Sequence, residues 1–186
     1  VSSVRYIGQL QNGISKGGEF FGKGFPFVSY GDVYKNYELP HSVSGLIDTT
    51  EDERATYSVE YGDIFFTRTS ETIEEVGFSC VCNRSIPNAT FAGFIIRLRP
   101  FCADEKILTD YAKYYFRGEH IRAYLVKEMN LVTRASLGQT LLKGMSVIVP
   151  PKSAQKEIAE YLDDKCADID ALVAKKQQYL TEIENY

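Results

Sequence analysis

The stretch VIVPPKSAQKEIAEYL, from Val147 to Leu162, divides the chain into two unlike parts. To its left, "MSVIV" carries the β-branched residues of a strand, and Pro150 and Pro151 end it by removing two ladder donors. To its right, from Ser153 to Tyr186, there is no glycine or proline and the residues are mostly good helix formers, which predicts one helix about 50 Å long. Ser153 is placed as its N-cap, with Lys156 where an acid would complete a capping box. Gln155, Glu157 and Glu160 keep the first turns polar, which suits the positive end of the helix dipole.

Leu162, Ile169 and Ile183 recur at sevens along this helix, with Ile158 and Leu172 between them and Cys166, Val173 and Leu180 beside them. The stripe is longer than one small domain covers, so part of it is expected to meet another helix. Lys165 and Lys176 fall on the strict seven-residue positions, making this a broken coiled coil. The alternative is a terminal helix folded back on its own domain.

Residues 1–150 read as a mixed, strand-rich domain, so the fold class expected is α+β, with residues 151–186 as one long coiled-coil-type helix. Candidate strands are FPFVSY, SVEYGDIFFTRT, VGFSCVCN, AGFIIRLRP and GMSVIVP. A helix is expected from Asp104 to Phe116 and a second after Gly118, carrying Ile121, Leu125 and Met129. At 186 residues with a hydrophobic fraction of 44%, the chain builds a sizeable core. Its longest apolar run, FAGFII, is too short to span a bilayer, and no signal sequence precedes it, so a cytoplasmic protein is expected. The chain begins at Val1 rather than Met, which leaves open a boundary or a processed end.

Cys80 and Cys82 form a C-x-C pair, but Cys102 and Cys166 follow at no zinc spacing, and His41 and His120 are unpaired in sequence; no metal is expected. There is no Gly-rich phosphate loop, G-x-S-x-G elbow, H-E-x-x-H helix or amino-methyltransferase [DN]-P-P-[YF]. The chain reads as a binder without catalytic residues of its own. FTRTSETIEEVGF, from Phe66 to Phe78, sets Arg68 among Thr67, Thr69, Ser70 and Thr72, and NLVTRASLGQT sets Arg134 among Thr133, Ser136 and Gln139. Hydroxyls and lysines hold phosphates, while Arg, Asn and Gln read base edges in pairs of hydrogen bonds. Pairing of Arg68 with Glu74 or Glu75 is the plainer reading of the first loop. Net charge is −4, but residues 1–150 hold 16 Lys and Arg against 17 Asp and Glu, so a local basic face is compatible with the balance. Such a domain is expected to bind DNA weakly alone and to depend on a partner for affinity.

GKGFPFVSYGDVYKN (Gly22–Asn36), YGDIFFTRTSETIEEVGFS, AGFIIRLRP and the run from Val132 to Val173 resemble, in order, the target recognition domain and following helix of type I restriction-modification specificity subunits. The most specific part is P-P-x-x-x-Q-x-x-I-A-x-x-L, matched by Pro150, Pro151, Gln155, Ile158, Ala159 and Leu162. The resemblance implies a non-enzymatic subunit that reads half of a bipartite site in double-stranded DNA. Its helix would set the spacing and dock methyltransferase subunits, which bring S-adenosylmethionine, while a separate motor-nuclease subunit cuts. No cofactor is expected on this chain. Family members usually hold two recognition domains, so a single copy implies either a half-size subunit, dimerising through the helix, or a fragment. A recognition domain of a fused type II restriction-methyltransferase and a protein-protein adaptor remain as alternatives.

Gly22–Asn36 is then read as a loop-strand-loop in which Phe25, Phe27 and Tyr34 brace the segment. Lys23, Ser29, Lys35 and Asn36 would face DNA, with Tyr30 able to serve either purpose. Arg68, Arg134 and Gln139 are the expected base readers; Lys23, Ser29, Thr69 and Ser70 the expected phosphate positioners, with Thr133 and Ser136 beside them. The helix interface is assigned to Ile158, Leu162, Ile169, Leu172, Val173, Leu180 and Ile183.

Overall fold

Ile64–Thr67 is a strand in which every residue is buried, and this follows from its position between two apolar layers. Ile64 and Phe66 face one cluster, with Ile96, Leu98, Phe116, Leu125 and Leu137. Phe65 faces the other, with Phe27, Val28, Ile47, Phe91 and Ile95. The period of two along a strand sends alternate side chains to opposite faces, so IFFT supplies both cores at once. The computed structural model describes residues 1–70, 75–129 and 135–184.

In chain order the elements are β1 (Ser2–Ser3), β2 (Gly8–Asn12), β3 (Phe21–Val28), α1 (Tyr30–Lys35), β4 (Leu46–Ile47), α2 (Glu51–Thr56), β5 (Ile64–Thr67), β6 (Thr69–Ser70) and β7 (Ser79–Val81). There follow β8 (Thr90–Phe91), β9 (Ile95–Pro100), α3 (Thr109–Tyr115), α4 (Glu119–Glu128), β10 (Ala135–Ser136), α5 (Gln139–Gly144), β11 (Ser146–Val147) and α6 (Lys152–Glu184). The central sheet has the order β2-β9-β5-β7 and is antiparallel throughout. A second sheet, β4-β3-β8, closes the cluster around Phe65, and β1 pairs with β11. The fold is mixed α+β with a long C-terminal helix.

Several elements depart from the sequence reading. FPFVSY does not remain a strand to Tyr30, and Gly22–Asn36 is not a loop-strand-loop: β3 stops at Val28 and α1 begins. The cause is a capping box. Ser29 Oγ accepts from Asp32 N, and the Asp32 carboxylate accepts from Ser29 N at 2.8 Å. The same device at Thr50 and Glu53 starts α2, a helix absent from the expectations, as is α5. SVEYGDIFFTRT forms a strand over its apolar centre and enters a second at Thr69, and GMSVIVP is a strand only at Ser146–Val147. The helix expected from Asp104 begins at Thr109, because Asp104 has a φ of 54° and accepts from Thr109 N at 2.7 Å.

The start of α6 is the largest correction. The helix begins at Lys152, so Ser153 lies within its first turn rather than capping it. Gln155, expected on a polar face, is fully buried. Its amide oxygen accepts from Leu108 N at 2.8 Å, and its nitrogen donates to Lys106 O at 3.0 Å and Pro150 O at 2.8 Å. One side chain thereby ties the helix to the segment before α3. Ala159, one turn on, is also buried. Further along, Asp163 accepts from Lys113 Nζ at 2.6 Å and from Tyr114 Oη at 2.6 Å. Lys113 also reaches Glu38 at 2.7 Å, so its nearly buried ammonium has two carboxylates.

Gln155→Leu keeps the volume but removes the buried partner of backbone groups at Leu108, Lys106 and Pro150, each costing about 1–3 kcal/mol where it is left unpaired and shut off from water. Urea unfolding of this variant is expected to show a loss of at least about 2 kcal/mol, with α6 released first. Partial burial works against ionisation of Asp163, but the bonds from Lys113 and Tyr114 hold its carboxyl below the usual range. A lowered carboxylate stabilises above its unfolded value and loses that stabilisation as pH falls through its folded one. Acid titration below the ordinary carboxylate range is therefore expected to loosen α6 by about 1 kcal/mol or less, and Asp163→Asn to abolish that slope.

Candidate nucleic-acid interface

The antiparallel central sheet puts the last residues of β2 and β5 and the first of β7 and β9 at one end: Asn12 lies opposite Ile96, Thr67 opposite Ile95, and Phe66 opposite Ser79. The chain leaves β5 there and continues into β6, which pairs with β10, Thr69 opposite Ser136 and Ser70 opposite Ala135. The described parts of the two Arg-centred segments of the sequence thus meet in one two-stranded ribbon. Arg68 stands at its base, its N–H bonded to Phe94 O at 2.8 Å and its carbonyl to Leu137 N at 2.7 Å. Glu71–Glu74 and Asn130–Arg134 lie outside the described residues, and with them Thr133 and Arg134.

The neck of the excursion is closed by Thr67. Its N–H bonds Phe78 O at 2.9 Å, its hydroxyl accepts from Phe78 N at 3.0 Å, and its carbonyl accepts from Gly77 N at 2.9 Å. Gly77 has a φ of 76°, and a Cβ there would lie 2.4 Å from Leu125, so glycine is required on both counts. The Arg117 and Arg122 guanidiniums sit over the Phe78 ring at 5.1 and 4.7 Å, and Tyr34 meets it edge-on. Tyr34 also donates to Glu75 at 3.2 Å, and partial burial together with that carboxylate raises its pKa. Sequence reasoning passed over Arg117, Arg122 and Phe78, because their pairing joins segments with no local pattern in common.

The guanidinium of Arg68 has no hydrogen-bond or ion-pair partner among the described residues. Gln139 donates to Asn12 Oδ1 at 2.9 Å, which sets it over the end of β2. On the other flank, Ser29 and Tyr30 share an apolar cavity of about 340 Å³ with Phe94 and Lys16. The structure therefore gathers Arg68, Thr69, Ser70, Ser136, Gln139, Ser29 and Tyr30 at one end of the sheet. The Ser29 hydroxyl is engaged in the α1 cap.

The remaining residues lie apart. Lys23 tops a bulge in β3, where Phe21 and Phe25 both oppose Ile47, and Gly22 and Gly24 have φ of 85° and 89°. A Cβ on Gly24 would meet Ile47 O at 2.7 Å. Lys23 is exposed and 3.9 Å from Asp48. Lys35 is exposed at the far end of α1. Asn36 caps that end by donating to Asp32 O at 2.8 Å and faces the groove beside α6, with Tyr37, Lys113 and Cys166.

Every residue of α6 from Ala167 to Ile183 is exposed. Ile169, Leu172, Val173, Leu180 and Ile183 continue, uncovered, the face that Gln155 and Ala159 bury and that Leu162 half-buries. Ile158 is also largely exposed. Among the described residues no cluster of three metal-ligating side chains occurs, and no helix is long and apolar enough to cross a membrane. Cys80 and Cys82 are buried free thiols, and burial pushes the Cys82 pKa up to about 12.

The chain belongs to the family of the type I restriction modification DNA specificity domain, which it matches over residues 10–183. Its fold is that of the HsdS subunit from Thermoanaerobacter tengcongensis, with a TM-score of 0.63 at 17% identity, over 92% of this chain and 38% of that one. It is similar too to the type I restriction-modification S subunit of M. genitalium, with a TM-score of 0.60 at 11% identity, over 92% and 40%. The chain thus spans about two fifths of the length of these subunits. No curated protein sequence matches it.

Because Arg68 has no partner among the described residues, Arg68→Ala is expected to leave thermal stability within about 0.5 kcal/mol of wild type. Phe78→Ala removes a ring that packs against two guanidiniums and Tyr34, and is expected to cost about 2–4 kcal/mol by the same measurement.

Proposed function

We propose that this chain reads one half of a bipartite target in double-stranded DNA, as the specificity component of a type I restriction-modification complex. The observation that carries this reading is the ribbon of β6 and β10. It brings two Arg-, Thr- and Ser-rich segments to one end of the sheet, next to an arginine whose guanidinium has no partner among the described residues. A two-stranded ribbon has the width of the major groove, where each base pair presents a distinct pattern of donors and acceptors. Arg68 and Gln139 are the base-reading candidates, together with Arg134. Thr69, Ser70, Ser136 and Thr133 hold phosphates, and Lys23 contributes charge from the β3 bulge.

The apolar stripe of α6 supplies the second half of the proposal. From Ala167 to Ile183 its residues are exposed, and it is suited to pack against another helix and to set the distance to a second recognition domain. In a complex built this way, methyltransferase subunits dock on the helices and carry S-adenosylmethionine, and a motor-nuclease subunit cuts. The chain itself performs no chemistry. A half-size subunit would form an antiparallel homodimer reading a symmetric site. With residues 1–150 near electrical neutrality, most affinity would come from the assembled clamp and specificity from few side chains.

Co-expression with its methyltransferase subunit, followed by sequencing for methylated adenines, is expected to reveal a bipartite motif; a symmetric motif indicates a homodimer. Arg68→Ala should relax one position of that motif at a cost of about 1–3 kcal/mol, whereas Lys23→Ala should weaken all sequences about equally. A stable complex that methylates nothing would sink the DNA-reading proposal.

A further inference from the structure

Phe94 is an exposed ring beside the base of the ribbon. Its side chain is 60% exposed, and among the described residues its ring has no aromatic or cationic partner. It stands between the base of the ribbon and the Tyr30 cavity, which is lined chiefly by apolar groups and rimmed by Ser15, Lys16 and Ser29. An apolar patch with a polar rim marks a contact surface rather than a packing accident.

The backbone beneath the ring is held from several sides. Arg68 N donates to Phe94 O at 2.8 Å, Ile95 N to Ala92 O at 2.9 Å, and Ala92 N to Val28 O at 3.1 Å. Ile14 N bonds Phe91 O at 2.8 Å, and Ile14 bridges to Ala92. The turn is thereby fixed to the link between β5 and β6 through Arg68, to β3 through Val28, and to the chain after β2. A phenyl ring presented on a clamped turn loses little entropy on contact, and Phe94 adjoins Arg68, whose guanidinium has no partner among the described residues.

We infer that Phe94 is an apolar wedge that presses against the face of a base and partly unstacks one step of the target duplex. The inference rests on the DNA-reading proposal and names a contact that proposal does not need. Apolar side chains inserted at a step unstack it and bend the duplex, and base–aromatic stacking tolerates any base. Phe94 would therefore favour deformable pyrimidine–purine steps without reading base edges.

The test uses the assembled methyltransferase complex and a duplex of its own methylated motif, with 2-aminopurine placed in turn at positions other than the target adenine. With wild type, one position is expected to brighten on binding. Phe94→Ala should abolish the brightening and weaken binding about 5- to 100-fold, the range of one base–aromatic stack. Phe94→Trp should retain it. The exposure of the ring makes both variants foldable, which an unchanged Tm would verify. No brightening with wild type, or equal brightening with Phe94→Ala, overturns the wedge. So does a loss of affinity equal to that of Phe94→Ala when a thymine is replaced by deoxyuridine without any brightening, since that marks a methyl contact in the groove. Failure of the wild-type complex to bind any duplex is a separate outcome and removes the DNA-reading proposal itself.

Discussion

Burial of Ile64–Thr67 on both faces is the constraint from which the functional geometry follows. A four-residue strand between two apolar clusters cannot shift register by one residue without exchanging Ile64 and Phe66 for Phe65. Its pairing with β9, Ile64 opposite Leu98 and Thr67 opposite Ile95, is therefore strongly specified. With that register set, the chain must emerge from β5 beside the start of β9. Arg68 then meets Phe94, and Thr69 enters the ribbon with Ser136.

Charge inside the sheet is handled at its opposite end and on its face. Arg99 holds Asp63 through two bonds of 2.7 Å and reaches Glu60 at 2.9 Å. Burial raises the Asp63 carboxyl pKa, and the Arg99 fork works against it. The nearly buried Arg97 donates to Ser58 O at 2.5 Å and to Gln11. These arginines are structural, whereas the guanidinium of Arg68, two residues beyond the last buried phenylalanine of β5, has no partner among the described residues. Helix α1 links the two working regions. It starts at the Tyr30 cavity and ends at Asn36 beside α6, where Lys113 bridges Glu38 and Asp163.

Much of the architecture was legible in local sequence. The Pro-Pro junction, the glycine-free run after it and the heptad-spaced apolar residues indicated α6 and its uncovered stripe. IFFT and FIIRL are apolar enough to be read as core strands. The short helices were less legible. Ser29-x-x-Asp32 and Thr50-x-x-Glu53 are capping signatures visible in the sequence, but each opens a helix of only six residues, too short to show helical periodicity. Gln155 looked like a surface residue because its partners, Lys106, Leu108 and Pro150, are backbone groups whose positions no side-chain pattern records.

The α+β class, the long helix with its apolar seam and the segments rich in arginine and hydroxyls can all be read from residue type and spacing within a short window. That residues 69–70 pair with 135–136, that Asn36 faces the helix rather than the ribbon, and that Phe94 is exposed beside Arg68 is seen only in the folded chain. Those placements follow from strand pairing between distant segments. Pairing is made by backbone groups common to every residue, and its register is set by burial on both sides of a sheet rather than by any local signal.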